Sequence, residues 1–397
     1  MVTLVKDYPL HKKLIHGLLP ALLIHLSIGS VYSWTMLVDK ISSTLNCSSG
    51  LTQWAFSLAI FFLGISAAFG GRLSERNLTM SAASSTIMFI SGLIVTGLGL
   101  TIGSIFVTLL GYGCIMGIGL GIGYITPIKN VMTWFPKSSG LAIGSTILGF
   151  GLSSSIASWI INSMLDYSAN IILFVLASIY VIPMFLGTIL IKRPDGFVDR
   201  EKKFTSIFNL REIRSLPFVL IWFIMLLSIS SGLALIGNSN QIMVKFTILK
   251  VDTILIILIL MGLFNGLGRL IVSSATDRLK VKSKIYYSIM GFPILFILAH
   301  FYVPDTIPKI LLVSSFMYGA GFSCLPIILR EKFGIDNLSV IHGLELTAWA
   351  VAGLIGNRSG DYLLTEYGVE TLLGVLLSLY SLGFILTYIL IKTNYKN

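Results

Sequence analysis

"NGLGRLIVSSATDRL", residues Asn265 to Leu279, closes an apolar run that begins near Thr253 and carries no charge before Arg269. A charged side chain at the centre of a membrane helix costs about 2.5 to 3.5 kcal/mol on insertion scales. If the run lies in a membrane, Arg269 is a functional candidate by default. The composition places it there. Of 397 residues, 55% are hydrophobic and only 11% are charged, with a mean hydropathy of +0.90, whereas ordinary soluble domains are about 25% charged.

Outward from this stretch, apolar runs of about 20 residues, each long enough to cross some 30 Å of hydrocarbon as a helix, recur twelve times. They cover residues 15–38, 51–71, 79–100, 104–128, 139–162, 169–191, 216–238, 253–275, 285–303, 308–329, 338–360 and 370–391. The expected fold class is an all-α integral membrane protein. The first run is too long for a signal-peptide core and lacks a small-residue cleavage site, so it reads as a retained helix. Cys47, Cys114 and Cys324 are scattered and odd in number, which supports neither a disulfide framework nor a metal site.

A net charge of +11 invites a nucleic-acid partner, but its distribution argues against one. With both termini in the cytoplasm, the inside segments collect the Lys and Arg residues, while the outside segments keep only Lys40, Lys245, Lys250 and Lys309. That asymmetry is the positive-inside rule, so the basic excess reports topology in a cell membrane.

The longest polar stretch, residues 192–215, falls between the sixth and seventh spans. It divides the chain into a six-helix half at 1–191, a cytoplasmic linker at 192–215 and a second six-helix half at 216–397. "GGRLSERN" follows span two and "SSATDRLK" follows span eight. Their acidic-basic pairs, Glu75-Arg76 and Asp277-Arg278, are about 202 residues apart, close to half the chain, as expected for a duplicated unit. Charges at helix ends are cheap to place, so these four residues read as a gating network with no substrate contact.

Six plus six helices with such a pair after the second helix of each half resemble the major facilitator superfamily. That resemblance implies two pseudo-symmetric halves around a central cavity, with access alternating by rocking. Three stretches, "GIGYITPIKNVMTWFPKSSGLAIG", "NGLGRLIVSSATDRL" and "LPIILREKFG" followed by "HGLELTAWAVAGLIG", together with the "YSW" of span one, are similar to the oxalate/formate antiporter family of small carboxylate transporters. This resemblance implies a substrate carboxylate held by Arg269, with the aromatic side chains Tyr32 and Tyr124 closing the cavity. Members that handle dicarboxylates carry a lysine after Thr-Ala in span eleven, where this chain has Thr347-Ala348-Trp349. A second carboxylate would lose its partner, which moves the expected substrate toward a monocarboxylate of the pyruvate, lactate or formate type.

The residues themselves carry part of this reading. Arg269 lies eight residues before Asp277, about 12 Å inside the helix end, and a planar, always-charged guanidinium suits bidentate capture of a carboxylate. Glu345 is a second intramembrane charge at similar depth. His342, Glu345 and Trp349 follow an i, i+3, i+7 spacing, one helical face, so if the resemblance turns Trp349 toward the cavity, Glu345 and His342 face it too. At a separation of about 4 Å, Arg269 and Glu345 would attract by roughly 4 kcal/mol at an effective dielectric of 20. A substrate competing for Arg269 would then release Glu345 to take up a proton, giving anion–proton symport, or anion exchange without one. A permanent structural ion pair, or a Glu345 hydrogen-bonded while protonated, is the competing account.

Lys129, near the membrane edge, reads as a solvated helix end. Arg358 and Asp361 read as an interfacial ion pair, and His25 as hydrogen-bonded packing. The glycines of span four do not spell a nucleotide-binding loop and read as close helix packing. No metal, cofactor or hydrolase motif stands out, so an enzyme is not expected, and one chain holding both halves makes a monomer sufficient. The competing functions are a proton-coupled exporter of hydrophobic or cationic compounds, against which the Arg269 charge argues, and a transporter-like membrane sensor.

Overall fold

The computed structural model describes residues 8–195, 211–303, 305–335 and 338–393. Most of the stretch read as the linker, residues 196–210, lies outside the described residues, as do the cations Lys6, Arg200, Lys202, Lys203 and Lys396. Among the described residues there are helices and connecting turns, with no strand.

Ten helical runs cross in sequence: α1 (Leu10–Met36), α2 (Ser49–Arg76), α3 (Leu78–Thr101), α4 (Ile105–Trp134), α5 (Ser139–Ser163), α6 (Ala169–Leu190), α7 (Leu216–Gly237), α8 (Val251–Thr276), α9 (Lys282–His300) and α10 (Ile307–Phe333). An eleventh run, Leu338–Lys392, has 55 residues. Unbroken, it would reach roughly 80 Å at 1.5 Å per residue, far beyond one crossing. Gly368 breaks it with φ 84 and ψ 177, a backbone conformation that favours glycine. The run is therefore two crossings, α11 (338–367) and α12 (369–392), and the bundle has the twelve transmembrane helices of the major facilitator fold.

Polar caps set where the helices start. Ser48 Oγ accepts from Leu51 N at 3.3 Å and Asn77 Oδ1 from Met80 N at 2.9 Å, each satisfying an amide that the first turn leaves without a partner. The helices between are apolar on nearly every face, as expected of segments bordered by lipid and by one another.

Two close approaches position the centre of the bundle. A Cβ at Gly268 would lie 1.9 Å from the Phe316 carbonyl oxygen, so α8 presses on α10 through glycine. At Gly29 a Cβ would meet the Phe150 carbonyl oxygen at 2.0 Å, which seats α1 on α5. Small residues of this kind let membrane helices pack backbone to backbone. They bring Arg269, Phe150 and the 3₁₀ segment Gly29–Met36 that carries Tyr32 into one neighbourhood.

Candidate functional site

Arg269 is fully buried. Its Nε donates to Asn265 Oδ1 at 2.8 Å, one turn back on α8. Its two terminal nitrogens, Nη1 and Nη2, have no hydrogen-bond partner among the described residues. The guanidinium carbon stands 4.9 Å from the ring centroid of Phe150 on α5 and 5.4 Å from that of Phe322 on α10, so ring faces offset part of the cost of burying the charge.

Other aromatic rings complete a cage. Trp349 of α11 packs on Phe322 at 4.0 Å between centroids. Tyr124 of α4 stands edge-on to Phe150 at 5.6 Å and to Trp349 at 5.4 Å. Tyr32 of α1 stands edge-on to Phe150 at 5.7 Å, and both tyrosines lie within electrostatic range of the guanidinium. The result is a fork of two N–H donors without acceptors, walled by π faces. Chemically this suits a small planar anion that accepts two parallel bonds.

Arg269, Tyr32, Tyr124 and Trp349 thus come together as one site. His342 touches its edge, with its ring 6.1 Å from that of Tyr124. Glu345 corrects the sequence expectation. It is fully buried, neither of its oxygens has a partner, and it forms no ion pair with Arg269. Its titratable neighbour is instead Tyr286 of α9. The physical reason is local: an i, i+3 step leaves Glu345 about 60° around the helix from His342, on the side of Tyr286, while His342 and Trp349 both reach Tyr124.

Sequence reasoning missed Phe150, Phe322, Tyr318 and His25. Tyr318 matters for access. Its hydroxyl lies 2.9 Å from the Tyr32 hydroxyl, joining α10 to α1. Outside this pair is a vestibule lined by residues that include Tyr32, Met36, Ser158, Ser239, Leu258 and Asn265. Its outer lining comes from the end of α1, the last turns of α5 and the first turns of α8, so it opens away from the end that carries Glu75 and Asp277.

The tyrosine pair is therefore the innermost lid of the site. Its loss should speed opening by roughly two- to tenfold, the value of one net hydrogen bond. With the three native cysteines replaced, labelling of Ser315→Cys by a small thiol reagent should accelerate by that factor in Tyr32→Phe. An unchanged rate would mean that the pair does not hold the cage shut.

The opposite end is closed by a reciprocal arrangement. Glu75, at the end of α2, pairs with Lys129 of α4, and its other oxygen accepts from Ser339 N at 3.3 Å, in the first turn of α11. Asp277, just past α8, accepts from Gly140 N at 3.0 Å and Leu141 N at 3.1 Å, in the first turn of α5. Each carboxylate therefore meets the positive N-terminus of a helix in the other half. Arg76 and Arg278 lie exposed beside them.

Lys129 is not the solvated helix end expected from sequence. Its side chain is 11% exposed and that of Glu75 only 8%. Arg193 Nη2 donates to the carbonyls of Ser74 and Glu75, both at 2.7 Å, and closes the end of α2. Burial lowers the Arg193 pKa, and the Glu75 charge opposes that shift. Near the other end of α11, Arg358 and Asp361 approach to 3.9 Å, and Arg358 Nη1 also donates to Gly50 O at 3.1 Å.

A twelve-helix membrane bundle, closed at one end and with a vestibule leading toward a buried site at the other, is a secondary transporter that works by alternating access. The chain belongs to the Major Facilitator Superfamily, whose family model matches residues 20–357; it is a multi-pass membrane transporter and not an enzyme. It is 24% identical over 371 residues to the oxalate:formate antiporter of Oxalobacter formigenes, covering 89% of this chain and 85% of that one. It is 23% identical over 355 residues to the uncharacterized MFS-type transporter YhjX of Escherichia coli K12, covering 85% of each. Among solved structures, a bacterial homologue of the iron transporter ferroportin in an outward-facing state superposes with a TM-score of 0.70 at 14% identity, covering 94% of this chain and 98% of that one. At that identity the likeness speaks for the fold alone.

Proposed function

We propose that the chain carries a small monocarboxylate of the pyruvate, lactate or formate type, bound through its carboxylate to Arg269. The observation that carries this reading is a fully buried guanidinium with Nη1 and Nη2 both unpartnered inside an aromatic cage. The oxalate:formate antiporter, a relative over most of the chain, supports the carboxylate class. The Trp349 side chain, packed against Phe322 in place of a second cation, supports one carboxylate rather than two.

In this reading the halves at 1–191 and 216–397 rock about the site. The Glu75–Asp277 end faces the cytoplasm of the cell membrane, as the distribution of Lys and Arg indicates. Glu345 and His342 bind and release a coupled proton. Because no ion pair joins Glu345 to Arg269, the coupling runs through helix movement: the ionised carboxylate needs water or a donor at its two bare oxygens, which a shift of α11 against α9 would admit.

The test is uptake of labelled formate, acetate, lactate, pyruvate and oxalate into proteoliposomes, with and without a pH gradient. Saturable uptake of a monocarboxylate in preference to oxalate is the expected result; no uptake of any acid would sink the proposal. Acid on the entry side should accelerate uptake by wild type, and Glu345→Gln should lose most of that response. A response that survives in Glu345→Gln would remove the proton from this residue.

A further inference from the structure

His25, one of the residues read from sequence as packing, is fully buried on α1. Its Nδ1 lies 2.8 Å from the Ala21 carbonyl oxygen. A carbonyl only accepts, so Nδ1 carries the hydrogen, and in the neutral ring Nε2 is left with an acceptor lone pair. That nitrogen has no partner among the described residues. The imidazole stands edge-on to Tyr124 at 5.5 Å and 6.2 Å from Phe150, the same ring that Arg269 overlies.

The unpartnered polar atoms around the cage therefore divide unevenly. Arg269 Nη1, Nη2 and Trp349 Nε1 can only donate, and the Tyr124 hydroxyl can do either. His342, on another side of Tyr124, has neither nitrogen bonded, so its tautomer can follow the ligand. His25 cannot adapt in this way, because Ala21 fixes its tautomer. A carboxylate offers acceptors alone and leaves His25 Nε2 bare.

We propose that His25 makes this site selective for 2-hydroxy monocarboxylates, the glycolate and lactate class, by accepting a hydrogen bond from the substrate hydroxyl. This rests on the reading of Arg269 as the carboxylate site. A hydroxyl on the carbon next to the carboxylate supplies the missing donor. A keto oxygen at that position sets lone pair against lone pair, and an unsubstituted carbon leaves a buried acceptor unsatisfied. Sites built to bond a substrate hydroxyl discriminate strongly against analogues that lack it.

The experiment is competition in proteoliposomes. Lactate, pyruvate and propionate, and separately glycolate and acetate, are titrated against labelled lactate uptake by wild type, His25→Gln and His25→Phe. Wild type should prefer lactate over pyruvate and propionate, and glycolate over acetate, by at least roughly tenfold. His25→Phe, a ring of similar size without the acceptor, should shrink those ratios to within about twofold. His25→Gln, which can place an amide oxygen near the Nε2 position, should keep most of the preference.

Equal affinities in wild type, or undiminished ratios in His25→Phe, would overturn the proposal. So would a variant in which only the pH dependence moves, since that would make His25 a proton site. If His25→Phe does not fold, thermal stabilisation of the purified wild type by glycolate against acetate asks the same question without a substitution. Inhibition by every monocarboxylate alike would defeat this inference and leave the carboxylate reading standing, whereas inhibition by none would defeat both.

Discussion

Arg269→Ala is expected to abolish saturable uptake of the transported acid, with kcat/KM falling by roughly a hundredfold or more. Two charge-assisted hydrogen bonds from Nη1 and Nη2 contribute about 3 kcal/mol at their lower bound, and each 1.4 kcal/mol is tenfold. The substitution should not harm folding. It removes a buried charge whose insertion alone costs about 2.5 to 3.5 kcal/mol, so the melting temperature should hold or rise. Arg269→Lys separates charge from geometry, because it keeps the cation and loses the planar fork. Its uptake should fall between those of wild type and Ala, with KM rising more than kcat falls. Uptake kinetics and thermal unfolding on the same preparations test all three statements. Saturable transport by Arg269→Ala with an unchanged KM would remove Arg269 from the site.

Glu75→Ala is expected to destabilise the closed state, because it removes the carboxylate that pairs with the buried Lys129 and caps the Ser339 amide. The expected signature is a lower melting temperature together with faster thiol labelling of Ser139→Cys, which reports opening of the Glu75–Asp277 end. Glu75→Ala combined with Lys129→Met should recover part of the loss, since replacing both partners removes the buried cation that faced Glu75. Asp277→Asn should cost only about 1 kcal/mol, the value of a helix cap, because Asp277 is exposed and strands no cation. If the double variant is no better than Glu75→Ala, the capping of α11 at Ser339 matters and the Lys129 pair does not.

The twelve crossings were legible in the sequence because apolar length and hydrogen-bond closure leave few alternatives in a bilayer. Even the join of α11 and α12, which the structure leaves in one helical run, follows from length once Gly368 breaks it. Arg269 stood out for a physical reason too, since a charge among residues without charge must be offset by something specific. The rings around it gave no such signal. Phe150 and Phe322 sit in helices that are apolar on every side, where periodicity cannot separate a residue facing the cavity from one facing a neighbour.

Lys129 was read wrongly in its company. Its partner lies 54 residues away in sequence, and nothing local announces it. His25 was set aside for a similar reason: only the bond to Ala21, seen in three dimensions, shows which nitrogen is bound and which is bare. The placement of Glu345 is the remaining gap. An i, i+3 step leaves about 60° between two side chains, enough to send Glu345 toward Tyr286 while His342 and Trp349 meet Tyr124.

The vestibule outside Tyr32 and Tyr318 has a pharmacological consequence. A carboxylate with a long, membrane-impermeant tail could reach Arg269 from that side while its tail filled the vestibule and kept the two hydroxyls from meeting. The carrier would then be held by its own ligand, unable to complete a cycle. Offered from the other side, the same molecule would meet Glu75, Lys129 and Asp277 in their closed arrangement and find no way in. Inhibition of this protein should therefore have a sidedness, and that sidedness would reveal in an intact membrane which face is which.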